Sequence, residues 1–178
     1  MWYWWASQQA VTDVDTMSAD GALITALAGV SYSIAWTCTG ELYTWGAGFG
    51  GQLGHGGLDD ETLPRLVETL TGRRIKGAAA GSGHTVAWTD TGQLWTWGCG
   101  HGGQLGHGEP RQDEVNPRVV QAMAGQRVVM ASAINHTLVI TATGEVSTFG
   151  TGTQGQLGHG STNAVWTPLA LDLVDKFG

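Results

Sequence analysis

Residues 84–108 read HTVAWTDTGQLWTWGCGHGGQLGHG, and most of this stretch occurs three times in a chain of 178 residues. The upstream copies, which align without a gap, are YSIAWTCTGELYTWG (32–46), HTVAWTDTGQLWTWG (84–98) and HTLVITATGEVSTFG (136–150). Each copy leads into a Gly-Gln-Leu-Gly-His-Gly string, and these strings end at Gly56, Gly108 and Gly160, 52 residues apart. A fixed period of this length is the signature of a repeat architecture.

Each repeat predicts short β-strands joined by tight turns. Residues 33–37 (SIAWT) are rich in β-branched and aromatic side chains, which favour strands. The turn that follows reads CTGE, DTGQ or ATGE in the three copies, and its glycine suits a positive φ. About four short strands in about 50 residues are typical of a propeller blade. We therefore predict an all-β fold, a partial β-propeller of about three blades, with a short helix considered only around residues 11–19 or 165–175.

The repeats divide the chain into two parts. Residues 22–178 form the predicted repeat array, and residues 1–21, which begin MWYWWASQQ, form an N-terminal segment outside the clear repeats. That segment lacks the basic start and long apolar run of a secretory signal. No apolar run in the chain approaches the ~20 residues of a membrane span, so a membrane partner is not expected.

The composition narrows the class of partner. Eight basic and fifteen acidic side chains give a formal net charge of −7, which disfavours broad nucleic-acid binding. Cys38 and Cys99 have neither zinc-finger spacing nor the number of a disulfide framework. Free thiols fit a reducing compartment, so we expect an intracellular protein, cytoplasmic or nuclear.

The repeated histidines allow a structural interpretation or a metal site. His55, His107 and His159 stand in equal contexts, and a joint is needed once per blade whereas a catalytic group is needed once per protein. Rotated blades would also keep the three imidazoles too far apart for one zinc ion. We favour the structural interpretation, and extend it to His84 and His136 because Tyr32 takes their place in the first copy. The repeated residues with predicted structural roles are Trp45, Gly54, His55, His84, Trp97, Gly106, His107, His136, Phe149, Gly158 and His159.

Residues 84–108 resemble the regulator-of-chromosome-condensation repeat, and the resemblance covers about residues 22–178. The resemblance implies a seven-bladed propeller. Three copies cannot close such a ring, so the chain is expected to be an open arc, a fragment of a larger propeller, or a subunit that completes itself by association. Val30, Ser82 and Ile134 stand where the family's plant photoreceptor carries its sensing tryptophans, so light sensing is not expected.

Three functions follow as expectations. The first is a non-catalytic protein-interaction module, because every motif residue is repeated and none stands alone as chemistry. The resemblance implies two others: guanine-nucleotide exchange on a small Ran-like GTPase, and a propeller fragment of a larger ubiquitin ligase or signalling protein. No catalytic residue, cofactor or metal is predicted. The expected partner is another protein, either a small GTPase or a basic protein, or a second copy of the chain through open blade edges. The acidic loop residues predicted to face a partner are Asp59, Asp60, Glu61, Glu109, Asp113 and Glu114.

Overall fold

The computed structural model describes residues 24–108 and 112–173, and over these ranges the fold is all-β. Three four-stranded antiparallel sheets follow one another, and we call them blades one, two and three. Blade one contains β1 (Ile24–Ala28), β2 (Tyr32–Thr37), β3 (Leu42–Gly46) and β4 (Glu61–Leu66). Blade two contains β5 (Ile75–Ala80), β6 (His84–Thr89), β7 (Leu94–Gly98) and β8 (Glu114–Val119). Blade three contains β9 (Val128–Ala133), β10 (His136–Thr141), β11 (Val146–Gly150) and β12 (Val165–Ala170).

Within each blade the strands pair in chain order, so every blade is a simple meander. The hairpins between the second and third strands turn at the predicted glycines, whose φ is +86° at Gly40, +85° at Gly92 and +84° at Gly144. The predicted all-β partial propeller is confirmed, and the three blades do not close into a ring. Short 3-10 turns at Glu68–Leu70 and Gln121–Met123 connect the blades. No helix in the described residues is long and apolar enough to cross a membrane.

The hydrophobic core lies at the blade boundaries rather than inside single sheets. One cluster joins Ile34 and Leu42 of blade one to Trp97 of blade two. A second cluster joins Val86 of blade two to Phe149 of blade three. A four-stranded sheet cannot bury its own faces, so each blade gains its core by packing on the next.

The expected helix around residues 165–175 is wrong. Residues Val165–Ala170 form β12, which pairs with β11 in register Thr148↔Leu169 and Ser147↔Ala170. An unpaired edge on β11 is satisfied only by a strand, and this tertiary requirement outweighs the local preference. The other expected helix, at 11–19, the whole N-terminal segment 1–21 and Glu109 lie outside the described residues.

Candidate functional site

A hydrogen-bonded joint lies inside each blade, where the third strand meets the glycine-histidine loop. In blade one the Thr44 hydroxyl donates to the Leu53 carbonyl at 2.6 Å, and His55 Nε2 lies 3.0 Å from the same hydroxyl. The arrangement repeats as Thr96, Leu105 and His107 in blade two, and as Thr148, Leu157 and His159 in blade three. Each imidazole is thus bound to its own blade, 11 residues from its partner in sequence.

The joint also sets the tautomer of these histidines. A threonine hydroxyl has one proton, and Thr44 donates it to the Leu53 carbonyl. His55 Nε2 must therefore carry a proton and donate to the hydroxyl oxygen. Burial is the main reason that the pKa of His55 lies below its usual value, with Arg65 adding to the shift. A neutral imidazole with a fixed proton acts as a hydrogen-bond donor, which fits the structural role predicted from the repeats.

A joint of a different kind connects blade one to blade two, and we call it the first interblade joint. The Gln52 carbonyl accepts from the Thr85 hydroxyl at 2.8 Å and from Trp97 Nε1 at 2.9 Å. Both donors belong to blade two, and both side chains are fully buried. The loop of one blade therefore supplies the acceptor that completes the next blade.

The second interblade joint, between blades two and three, has the same plan but lacks one of the two hydrogen-bond donors. The Thr137 hydroxyl donates to the Gln104 carbonyl at 2.7 Å. Phe149 fills the place of the tryptophan and is fully buried, but its ring has no N–H to donate. Thr137 also accepts from His84 Nε2 at 2.9 Å, so a single hydroxyl holds three elements together.

In blades one and two, the glycine before the histidine lies directly against the aromatic ring of the next blade. A Cβ at Gly54 would lie 2.7 Å from Trp97 Nε1, and a Cβ at Gly106 would lie 2.7 Å from Phe149 Cε2. Both glycines also have positive φ, +78° and +74°. Only glycine satisfies the backbone conformation and the close approach at once.

A third contact between blades uses the residue that opens the second strand. The Tyr32 hydroxyl donates to the His84 carbonyl at 2.6 Å. Its oxygen lies 3.0 Å from the Thr85 hydroxyl, whose one proton is shared between this oxygen and the Gln52 carbonyl. Burial raises the pKa of Tyr32 above its usual value. Burial, with the nearby His136 as a smaller cause, lowers the pKa of His84 to about 3. Burial also lowers the pKa of His136, so this row of side chains is neutral near pH 7.

The acidic residues after the histidine loops have partners within their own blades. The Asp60 carboxylate accepts from the Gly48 backbone amide at 2.8 Å. Glu61, at the start of β4, pairs with Arg65. The same pattern recurs in blade two, where Asp113 accepts from Gly100 and Glu114 pairs with Arg118. Asp59 is exposed. Partner binding by these residues remains a prediction.

The repeated Gln-Leu pair of each loop has a structural role. Leu53, Leu105 and Leu157 are buried in the core. The Gln52 side chain accepts from the Gly50 amide at 2.8 Å. The sequence analysis missed the threonines of the joint inside each blade, Thr44, Thr96 and Thr148, although their 52-residue spacing was a visible signal.

The structure also brings together three polar side chains that the sequence analysis kept apart. Cys99, His101 and Asp113 place their sulfur, nitrogen and oxygen atoms within 4.8 Å of one another. Burial first, and Asp113 second, raise the pKa of the Cys99 thiol. His101 is exposed.

The sequence of these repeats matches a known family. Residues 39–88 and 91–140, more than half of the chain, match the regulator of chromosome condensation (RCC1) repeat. The chain belongs to the RCC1 repeat family. Residues 75–104 also match a second description of the RCC1 repeat.

Relatives of this RCC1 repeat chain are much longer proteins. The E3 ubiquitin-protein ligase HERC2 of Homo sapiens is 35% identical over 153 residues, which are 84% of this chain and 3% of that protein. The ultraviolet-B receptor UVR8 of Arabidopsis thaliana is 37% identical over 149 residues, or 83% of this chain and 34% of the receptor. The chain therefore spans 3% and 34% of the length of these two relatives.

Solved structures share the RCC1 fold. Prp20p from Saccharomyces cerevisiae superposes with a TM-score of 0.73 at 20% identity, covering 83% of this chain and 38% of Prp20p. Human WBSCR16 superposes with a TM-score of 0.59 at 17% identity, covering 86% of this chain and 53% of that protein. At these identities the likeness concerns the fold alone.

Proposed function

We propose that the chain is a non-catalytic protein-interaction module. The observation that carries the proposal is the use of the repeated polar residues: the histidines of the glycine-histidine loops and the joint threonines bond to the chain's own backbone and side chains. Side chains engaged in these structural hydrogen bonds are not available for catalysis. What differs between the blades is the set of loop residues, and variable loops on a rigid scaffold are where binding function concentrates.

The loop edge of blade one is the surface that best fits a protein partner. Phe49 and Leu58 are 68% and 55% exposed, and Asp59 is also exposed. The two loop segments lie side by side, because a Cβ at Gly48 would lie 2.0 Å from the Asp59 carbonyl oxygen. Exposed apolar side chains beside an acidic group suit a partner with a basic, partly apolar surface.

The comparison with Prp20p supplies candidate partners. The published description of that protein names its binding to Gsp1p and to histones. We infer that this chain binds a small GTPase or a basic protein of the histone type, inside the cell, in the cytoplasm or nucleus. Ubiquitin ligation belongs to HERC2 as a whole, and for this chain we propose only the interaction role within such a protein.

Binding and nucleotide-release assays test this function together. Purified small GTPases and core histones are presented to the wild-type chain and to the loop variant Phe49→Thr/Leu58→Ser, whose threonine is the residue at the matching position 153 of blade three. We expect wild-type binding, weaker binding by the variant at an unchanged melting temperature, and no acceleration of nucleotide release. Accelerated release at substoichiometric amounts of the chain would overturn the non-catalytic assignment. Equal binding by both proteins would move the contact away from this loop.

Self-association through the outer blade faces is a second part of the proposal. Trp45 of blade one is only half-buried, whereas its counterpart Trp97 is fully buried against blade one. Gly158 of blade three is exposed, whereas Gly106 is buried. A second copy could cover these faces with the same joint. Light scattering over a range of concentrations should show a rising average mass; a monodisperse monomer throughout would contradict this part.

A further inference from the structure

We propose that Cys99, His101 and Asp113 form a binding site for a divalent transition-metal ion of the zinc type. The three residues lie where the loop between β7 and β8 begins and ends. This site is independent of the protein-interaction proposal, because it lies in blade two and needs no partner protein.

The backbone holds two of the three residues in place. The Cys99 amide donates to the Gly83 carbonyl at 2.8 Å, which anchors the start of the loop to the neighbouring turn. The Asp113 carboxylate accepts from the Gly100 amide at 2.8 Å, which ties the end of the loop back to its start. The carboxylate and the thiol are therefore brought together by the fold itself rather than by the contact between them.

The donor atoms converge on one nitrogen. His101 Nδ1 lies 3.8 Å from Cys99 Sγ and 2.9 Å from Asp113 Oδ1. In a tetrahedral zinc site, bonds of about 2.3 Å to sulfur and about 2.0–2.1 Å to nitrogen or oxygen place neighbouring ligand atoms roughly 3.3–3.6 Å apart. Shifts of about half an ångström therefore bring both contacts of His101 Nδ1 to these spacings. The Cys99 sulfur and the Asp113 oxygen, within 4.8 Å of each other, complete the set of three donors. An ion would replace the proton that Nδ1 and the carboxylate share.

The mixture of donors selects the class of ion. One thiolate sulfur, one imidazole nitrogen and one carboxylate oxygen suit zinc and cobalt(II), whereas calcium and magnesium prefer oxygen donors throughout. The His101 side chain is 63% exposed, so the ion can enter from solvent. Three protein ligands leave a fourth tetrahedral position for water or an incoming donor.

Blade one shows that the repeat itself does not need the cysteine and the histidine. The positions that match Cys99 and His101 hold Ala47 and Phe49 in blade one. Blade one nevertheless forms the same loop bond, since Asp60 accepts from Gly48 at 2.8 Å. The aspartate therefore has a shared structural task, while the cysteine and histidine are additions particular to blade two.

Titration of the full chain with cobalt(II) tests the site directly, followed by the thiolate-to-cobalt charge-transfer absorbance. The variants are Cys99→Ala, which introduces the residue of blade one, His101→Thr, which introduces that of blade three, and Asp113→Asn, which keeps an oxygen for the Gly100 amide. Matched controls are Cys38→Ala, which removes the chain's other thiol, and Asp60→Asn, which makes the same change in blade one.

We expect a saturable band of one ion per chain that zinc displaces. The band should persist in both controls and vanish in Cys99→Ala. In His101→Thr and Asp113→Asn, half-saturation should require at least about tenfold more cobalt. Thermal unfolding verifies that each variant is folded, and Cys99→Ser replaces Cys99→Ala if the latter is not. The proposal is overturned if the wild type gives no saturable band, if the band survives loss of the Cys99 thiol, if it depends on Cys38, or if His101→Thr and Asp113→Asn leave the affinity unchanged.

Discussion

The two interblade joints differ by one hydrogen bond. The difference distinguishes the role of ring packing from that of the hydrogen bond. At the first joint the Gln52 carbonyl accepts from both Thr85 and Trp97. At the second joint Thr137 donates to the Gln104 carbonyl beside Phe149, a ring without a donor. Both rings are fully buried and both face a glycine. An aromatic ring against glycine is thus the common requirement, and the indole N–H is an addition that makes the first joint less dependent on its threonine.

The largest effect is expected from placing a side chain between the blades. Gly106→Val combines a β-branched residue at φ +74° with a Cβ only 2.7 Å from Phe149. Backbone strain of about 1–2 kcal/mol and overpacking of about 1–3 kcal/mol should together remove roughly 4 kcal/mol of stability in urea unfolding. Gly125→Val is the matched control, because Gly125 has φ +82° and nothing within 4 Å of its Cβ position. Equal losses in the two variants would mean that the ring contact contributes nothing.

Removing the threonine hydroxyl from each interblade joint should destabilise the second joint more than the first. Thr137→Val leaves the Gln104 carbonyl and the buried His84 Nε2 proton without this partner, which should cost about 3 kcal/mol. Thr85→Val leaves the Gln52 carbonyl bonded to Trp97 and the Tyr32 hydroxyl bonded to the His84 carbonyl, so about 1 kcal/mol is expected. Both threonines are fully buried, so the variants are well matched. Equal losses in denaturant midpoint would refute the idea that the indole donor compensates.

The pH dependence of stability should come largely from His84. Its pKa is about 3 in the folded chain against about 6.5 when unfolded, so only the unfolded state gains a proton as pH falls below 6.5. Stability is therefore full above this pH and falls by up to about 1.4 kcal/mol per pH unit towards pH 3. The pKa values of His55 and His136 are lowered as well and act in the same direction.

Two variants isolate this contribution in urea unfolding at a series of pH values. His84→Tyr introduces the residue that blade one carries at this position, and His84→Gln is a smaller neutral replacement. In either variant that folds, the slope of stability against pH should decrease by up to about 1.4 kcal/mol per unit. A slope that matches the wild type would assign the dependence to other groups.

A small effect, comparable to that of Thr85→Val, is expected from converting the first interblade joint into the second. Trp97→Phe removes one hydrogen bond but leaves the Gln52 carbonyl bonded to Thr85, so about 1–2 kcal/mol should be lost, including the smaller ring volume. Trp45→Phe makes the same change on the half-buried face of blade one and should cost less. If Trp45→Phe were the more damaging change in thermal unfolding, burial against the preceding blade would not be what stabilises Trp97.

The repeat period made the fold predictable, whereas details that depend on distant partners were not. Alternating strands and positive-φ glycines such as Gly92 follow from local chemistry that recurs at each copy. Residues 165–170 were misassigned because their strand exists only through pairing with β11. Thr85 resembles any strand-forming residue until the Gln52 carbonyl is seen opposite it. The approach of Asp113 to Cys99 depends on the bond from the Gly100 amide to the Asp113 carboxylate, which spacing does not reveal.

The joints connect adjacent blades pairwise, and this bears on how the protein opens. In an array of nearest-neighbour contacts, stability is a sum of unit and interface contributions, and unfolding can proceed one unit at a time. Blade two has a joint on each side, and all five residues of its β7 are buried. Its backbone amides should therefore exchange with deuterium most slowly, and blades one and three should fray first as separate cooperative units.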